Sequence, residues 1–365
     1  MQRRHACACL VMITVALTTA GRLDADQRRD EERAAILRAA QVWHQPAVPI
    51  SRANLAASPP GRGAFARAQI VNCRFDPNPV QGATRKFDCV RPGGDRFKVK
   101  YGANNAEIYS EVISSRLLNA LGFWADRMYV VASVRCAGCP QDPFDALQCM
   151  DSRADLHRCF GTLDYSHVEV FEHAVIERPV EGRRVEDGDD RGWRWDELNA
   201  IRPEAGGARP EHVDAFRLLA VFLNHWDNKA ENQRLLCLGE AEDSTGCQRP
   251  VAMIQDLGAS FGPKKMDVNA WAASPVWDDA ATCRVSTRHL GFGQQTFPDI
   301  RISEAGRRFL GDRLAQLTRA QIRALFTGAN IARFDSADAA SRNPDALVTA
   351  FQARVRQITD RPACP

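Results

Sequence analysis

Cysteine constrains this chain more than any other residue type. Twelve occur in 365 residues, a number that a reducing cytosol disfavours. Cys7 and Cys9 belong to an N-terminal segment in which Arg3 and Arg4 precede a mostly apolar run, Ala6 to Leu17, and Thr18-Thr19-Ala20 then supplies small residues. Charge, apolar stretch and small residues in that order form the pattern of a secretory signal peptide. Residues 1–20 are therefore expected to be removed, although a buried N-terminal helix shares the composition. Lipidation at Cys9 fits poorly, because His5 to Ala8 make a weak lipobox. Cleavage after Ala20 leaves ten cysteines, and an oxidising compartment turns an even number into disulfides.

The rest of the composition is ordinary. Hydrophobic residues make up 45% and charged residues 25%, with a net charge of +3. This excludes wholesale disorder and gives no field that would attract nucleic acid or a lipid surface. No other stretch approaches the ~20 apolar residues of a membrane span. The mature chain is expected to be secreted or periplasmic, with no nucleic-acid partner and no transmembrane segment. Its length suits two domains or one bilobal one.

Residues 21–65 read as a helical lead-in and linker. Ala35, Ile36, Ala39 and Ala40 have helical spacing, and Pro46, Pro49, Pro59, Pro60, Gly61 and Gly63 then interrupt. The segment should wrap the domain or stay mobile. Strands are expected at Ala68–Val71, Lys86–Val90 and Arg96–Lys100, the last two forming a hairpin about Pro92-Gly93-Gly94-Asp95. A helix over 105–121 carries Ile113, Leu117 and Leu121 on one face, with Gly122 placed to cap it. Further strands are expected at Tyr129–Val134 and Val168–Ile176. Helices then dominate: His212–Leu223, one opened by the capping-box residues Thr318 and Gln321, and Pro344–Ile358. The fold class is α+β in two lobes. A strand-rich N-lobe (66–178) has one main helix and a Cys-rich insert at about 136–159, and a mostly helical C-lobe spans 179–365.

Two segments carry chemistry. His225-Trp226-Asp227-Asn228-Lys229-Ala230-Glu231-Asn232 follows a helix, and Met253-Ile254-Gln255-Asp256-Leu257-Gly258 is a short strand ending in Asp-Leu-Gly. Either alone could be an Asx-capped turn. Together they resemble the kinase catalytic loop, H-R-D-x-x-x-x-N, followed by D-F-G. Phosphoryl transfer asks mainly for positioning and charge neutralisation. The resemblance makes Asp227 the base for an acceptor hydroxyl, adds Lys229 to the catalytic set, and makes Asn232 and Asp256 ligands of Mg²⁺, a hard ion that prefers oxygen.

Upstream, Phe97-Lys98-Val99-Lys100 alternates, so Lys98 and Lys100 share a face. Glu107 and Glu111, four apart on the next helix, share one too. Lys100 with Glu111 is the preferred pair for holding phosphates, and the other lysine and glutamate are expected to be solvated. Val80-Gln81-Gly82-Ala83-Thr84-Arg85-Lys86-Phe87 does not match G-x-G-x-x-G. It resembles the short G-x-x-x-K loop of HipA-like kinases, which are similar to the lipid-kinase branch. That resemblance covers about residues 80–262. It implies a bilobal fold binding ATP and magnesium between the lobes, backbone phosphate contacts at Gly82, Ala83 and Thr84, and a nucleotide hinge near Ile176, Glu177 and Arg178. The pattern departs from the family at Leu257, which replaces phenylalanine, and in having no A-P-E segment, so the acceptor is not inherited.

Cys136-Ala137-Gly138-Cys139, with Cys149 and Cys159, could be disulfide-bonded, a zinc tetrathiolate or a redox dithiol. Cys237 with Cys247 and Cys73 with Cys89 are candidate staples. The histidines, His157 and His289 among them, show no metal-ligand spacing. The expected function is an extracytoplasmic ATP-dependent phosphotransferase. The alternatives are a catalytically silent pseudokinase and a disulfide-rich secreted binding protein.

Overall fold

The computed structural model describes residues 27–365 except 79, 81, 154–157, 160, 186–191, 242–245, 289, 292–296 and 298. The expected signal peptide, His157 and His289 lie outside the described residues. A helix at 27–38 (α1) opens the described chain. The elements that follow are β1 (Ile70–Asp76), β2 (Lys86–Val90), β3 (Arg96–Tyr101), α2 (Ala106–Leu121), β4 (Arg127–Val130), β5 (Ser133–Ala137), α3 (Pro143–Arg153), β6 (Val168–Phe171) and β7 (Ala174–Arg178). The second half holds β8 (Gly182–Arg184), α4 (Pro210–Leu223), β9 (Gln233–Leu238), β10 (Pro250–Ile254), α5 (Val268–Ala273), β11 (Trp277–Asp279), β12 (Arg284–Val285), α6 (Glu304–Ala315), α7 (Arg319–Gly328) and α8 (Pro344–Thr359). The fold is α+β, with strands concentrated in the first half and helices in the second, as the patterning implied.

The first seven strands form one sheet in the order β4-β7-β3-β2-β1-β5-β6. All neighbours are antiparallel except β1 and β5. The topology corrects three expectations. The first strand runs Ile70–Asp76 rather than Ala68–Val71, because Val71, Cys73 and Phe75 are the residues that alternate inward. The expected single strands at 129–134 and 168–176 are each two. β4 pairs with β7, but β5, two residues later, pairs with β1. Likewise β6 pairs with β5 and β7 with β3 and β4. Two residues reach only about 10 Å at full extension, so the sheet must curl until its two margins meet. Phe65, Phe87, Phe97, Val99, Tyr129, Val134 and Ile176 fill the interior. The opposite face of β2 and β3 presents Lys86, Asp88, Lys98 and Lys100.

Helix α2 belongs to the other core. Asn105 caps its start by accepting from Glu107 N, and Gly122, at φ 91°, caps its end in the left-handed region. Val112, Ile113, Leu117 and Leu121 pack with residues of α4, α6, α7 and α8. The lead-in wraps rather than hanging free. Ile36, Leu37, Val42, Ile50 and Leu55 enter the same core, each contributing about 1.5–3 kcal/mol of burial before entropy is counted. Gln41 and Trp43 make bridges to Val251 and Phe123.

Five disulfides close the described chain: Cys73–Cys89, Cys136–Cys139, Cys149–Cys159, Cys237–Cys247 and Cys283–Cys364. Both candidate staples are present. The four sulfurs weighed as a zinc tetrathiolate or redox dithiol are spent in two disulfides. Among the described residues no helix is long and apolar enough to cross a membrane.

Candidate functional site

Strand β3 and helix α2 bring the first charges together. Lys100, 2% exposed, donates to Glu111 Oε1, and its Nζ lies 3.2 Å from Glu177 Oε2. Lys98 Nζ donates to Glu177 Oε1 at 3.1 Å. Burial opposes the charge on Lys100, but the Glu111, Glu177 and Asp256 carboxylates overcome it and raise its pKa well above the usual lysine range. Burial likewise opposes ionisation of Glu177, and Lys98 and Lys100 nonetheless hold its pKa down at about 2. Lys86 stands directly across the ladder from Lys100 and Asp88 across from Lys98. Burial and the neighbouring Lys100 lower the Lys86 pKa. Facing lysines repel, so this strip is built to meet negative charge.

The second half of the site is the turn after α4. Asn224, at φ 53°, ends the helix in the left-handed region, and the chain reverses through His225. That imidazole is fully buried and its pKa falls to about 4 by desolvation. The 225–232 loop is stitched to the 254–259 segment: Gln255 N donates to Asn232 O at 2.9 Å, and Trp226 N to Ala259 O at 2.7 Å. Asn232 Nδ2 donates to Asp227 O at 2.7 Å, which leaves its Oδ1 available as a ligand. Lys229 Nζ lies 3.3 Å from Asp227 Oδ2. Gly258 N donates to Asp256 Oδ1 at 3.0 Å. Burial would raise the Asp256 pKa, but Lys100, that amide and Lys86 hold it well below the carboxylate range.

The two halves meet at three carboxylates. Glu107, Glu111 and Asp256 each place an oxygen within 4.8 Å of the others. The resulting cluster brings ammonium groups, carboxylates and an amide-bearing loop together, a donor set that suits an oxyanion ligand with a hard cation.

No family model matches the chain, and no curated protein matches it. Among solved structures it is similar to the crystal structure of a Helicobacter pylori proinflammatory kinase, CtkA. The identity is 12%, the TM-score 0.41, and the match covers 80% of this chain and 96% of that one. The chemistry therefore has to be read from the side chains themselves.

The expected site residues fall into three groups. Lys100, Glu111 and Asp256 sit at the junction just described, Asn232 is bonded to it through the backbone of Gln255 and Asp256, and Asp227 and Lys229 lie on the same loop as Asn232. Gly82 and Ala83 lie in an exposed turn, Gly82 at φ 90°, while Thr84 bonds Glu107 and so joins that turn to α2. Ile176 and Glu177 do not form a free hinge. Both lie inside β7, with Ile176 paired to Val99 and Tyr129 and Glu177 to Lys98 and Met128. The ladder occupies their backbone, the Ile176 side chain is core, and Glu177 acts through its carboxylate. The connection between the halves is Pro179-Val180, where Val180 N donates to Asp126 Oδ1 at 2.8 Å. The sequence placed Lys86 as the lysine of the G-x-x-x-K loop without a role of its own, and left Glu107 as a solvated charge. The hairpin register sets Lys86 against Lys100 and was the signal that could have given it a place in the site.

Proposed function

We propose that the protein is a phosphotransferase that moves the terminal phosphoryl group of a nucleoside triphosphate, ATP in the first instance, to a hydroxyl acceptor. The observation that carries this reading is that the Lys100–Glu111 pair, Asp256 and the Asn232–Asp227 loop, from segments more than a hundred residues apart, meet in one cluster. We take the lobes as residues 66–178 and 179–365, with α2 of the first packed into the core of the second. Lys100, with Lys86 beside it, holds phosphate oxygens. Asp227, half-buried and aligned by its own backbone bond to Asn232, accepts the proton of the acceptor hydroxyl as the oxygen attacks. Lys229, paired with Asp227, orients that carboxylate and faces the negative charge of the group in transit. Asn232 Oδ1 and Asp256 would hold Mg²⁺, which when bound neutralises phosphate charge. The five disulfides support an extracytoplasmic setting.

A second reading, nucleotide or partner binding without turnover, draws on Glu177. Its carboxylate already occupies Lys98 and Lys100, the cations that phosphate would need. Incubation of the disulfide-bonded chain with Mg²⁺ and γ-labelled ATP, read by mass spectrometry for autophosphorylation, separates the two. Transfer that Asp227→Ala abolishes, with unchanged folding, supports the phosphotransferase. A thermal shift with Mg²⁺–ATP but no transfer supports the silent form. If neither shift nor transfer occurs, both readings fail and a disulfide-braced binding protein remains.

A further inference from the structure

Glu107 stands where a second metal ligand belongs. It lies one helical turn before Glu111 on α2, its carboxylate reaches the Asp256 carboxylate, and it accepts from Thr84 of the 82–84 turn. It also presses on the turn after Asp256: a Cβ built on Gly258 would lie 2.8 Å from Glu107 Cγ. Glycine at 258 therefore leaves the room that lets this side chain approach. Five acidic side chains (Asp88, Glu107, Glu111, Glu177, Asp256) and three lysines (Lys86, Lys98, Lys100) lie close enough to influence one another.

A separate observation points at a ligand. Glu111 is 3% exposed, and while its Oε1 takes Lys100, its Oε2 is buried with no nitrogen donor and meets only the Asp256 carboxyl group. A buried carboxylate oxygen left bare costs about 1–3 kcal/mol or more, and this one belongs to the same three-carboxylate group. Oxygens within 4.8 Å of one another are close enough for one ion, since hard cations bind oxygen at about 2.0–2.6 Å.

We propose that Glu107 and Asp256, with Glu111 Oε2, bind a divalent cation before any nucleotide arrives, so that the ion ties α2 to the 256–258 turn. The inference rests on the phosphotransferase reading of the cleft but adds a ligand from α2 and a nucleotide-independent site. It gives α2 a direct part in metal affinity: shifting the helix would change the ion's coordination without touching the 225–232 loop.

The test is a titration of the nucleotide-free, disulfide-bonded chain with Mn²⁺, read by the loss of the free-ion electron paramagnetic resonance signal. The wild type should bind one ion saturably. Glu107→Gln should weaken binding at least tenfold. Gly258→Ala, which keeps every ligand and the 258 amide but crowds Glu107, should weaken it severalfold. If Glu107→Gln melts without ligand at a much lower temperature than the wild type, the Gly258→Ala result decides. No saturable Mn²⁺ binding by the wild type, or equal affinity in both variants, overturns the proposal. Phosphoryl transfer is assayed separately. Transfer with no nucleotide-free Mn²⁺ binding sinks this inference alone, and Glu107-dependent binding with no transfer sinks the phosphotransferase alone.

Discussion

Lys100 and Glu177 are joined across the β3–β7 ladder, with Nζ 3.2 Å from Oε2 and both side chains nearly excluded from water. Glu111 holds the same ammonium from the α2 side. Removing the one cation leaves two buried carboxylates without their common partner. Lys100→Met should therefore lower unfolding stability by about 3–5 kcal/mol, read as a shift of the urea midpoint. Lys98, whose side chain is 31% exposed, should cost far less when changed to methionine, about 1 kcal/mol. Equal losses from the two would show that Lys100 is not the organising charge.

Much of this was legible beforehand, and the limits are physical. Helix periodicity and caps gave α2 from Asn105 to Gly122 almost to the residue, because those signals are local. Pairing Lys100 with Glu111 needed only strand alternation and helical spacing. The splits at 131–132 and 172–173 were hidden, since both expected strands stay apolar or alternating through the break and only the curl of the sheet shows that the chain changes margins. That Ile176 and Glu177 lie inside β7, with the connection following at Pro179-Val180, was hidden for the same reason. A strand flanked on both sides reads in sequence like a strand that ends in a connector. Glu107 looked solvated because nothing local records that Gly258 makes room for it.

Asp126 gives the fold a pH dependence. It is 4% exposed, and burial, then the nearby charge of Glu177, raise its pKa to about 7. The folded state thus keeps a proton that the unfolded chain releases near 3.8. The stabilisation from this group is complete below that value and is lost as pH rises towards about 7. His225 has the opposite sign: its folded pKa of about 4 lies below the usual 6.5, so its contribution grows with pH between those values. The two oppose each other in the wild type. Asp126→Asn keeps the oxygen that accepts from Val180 N but cannot ionise. Its urea-unfolding stability should rise between about pH 4 and 6.5, where the wild type is flatter. A profile unchanged from the wild type would remove Asp126 as the source.

The disulfides should differ in what they contribute. Cys283–Cys364 closes a separation of 81 residues and Cys136–Cys139 one of 3. Loop-closure entropy of the unfolded chain then assigns about 4–5 kcal/mol to the first and about 1.6 kcal/mol to the second. Paired replacement by serine should lower the melting temperature far more for 283/364 than for 136/139. The reverse order would mean that the short link in the curled sheet carries native-state packing that chain entropy does not describe.

Arg354, fully buried on α8, is held by backbone carbonyls. Its guanidinium donates to Phe222 O at 2.9 Å, Val221 O at 2.8 Å, Trp271 O at 2.9 Å and Ser274 O. The first two carbonyls end α4, immediately before the Asn224 turn that launches the 225–232 loop. A cation at a helix C-terminus is favourable, and a planar fork reaches carbonyls in several directions at once. Burial lowers its pKa to about 9, which leaves it charged at neutral pH. Lysine keeps the charge but gathers its donors at one point, so at least one carbonyl goes unserved. Arg354→Lys should cost about 1–3 kcal/mol in urea unfolding, and it should speed hydrogen exchange at residues 221–226 more than in β1–β3. If exchange at the 221–226 turn is unchanged while global stability falls, Arg354 braces α5 and α8 and does not set the loop that carries Asp227.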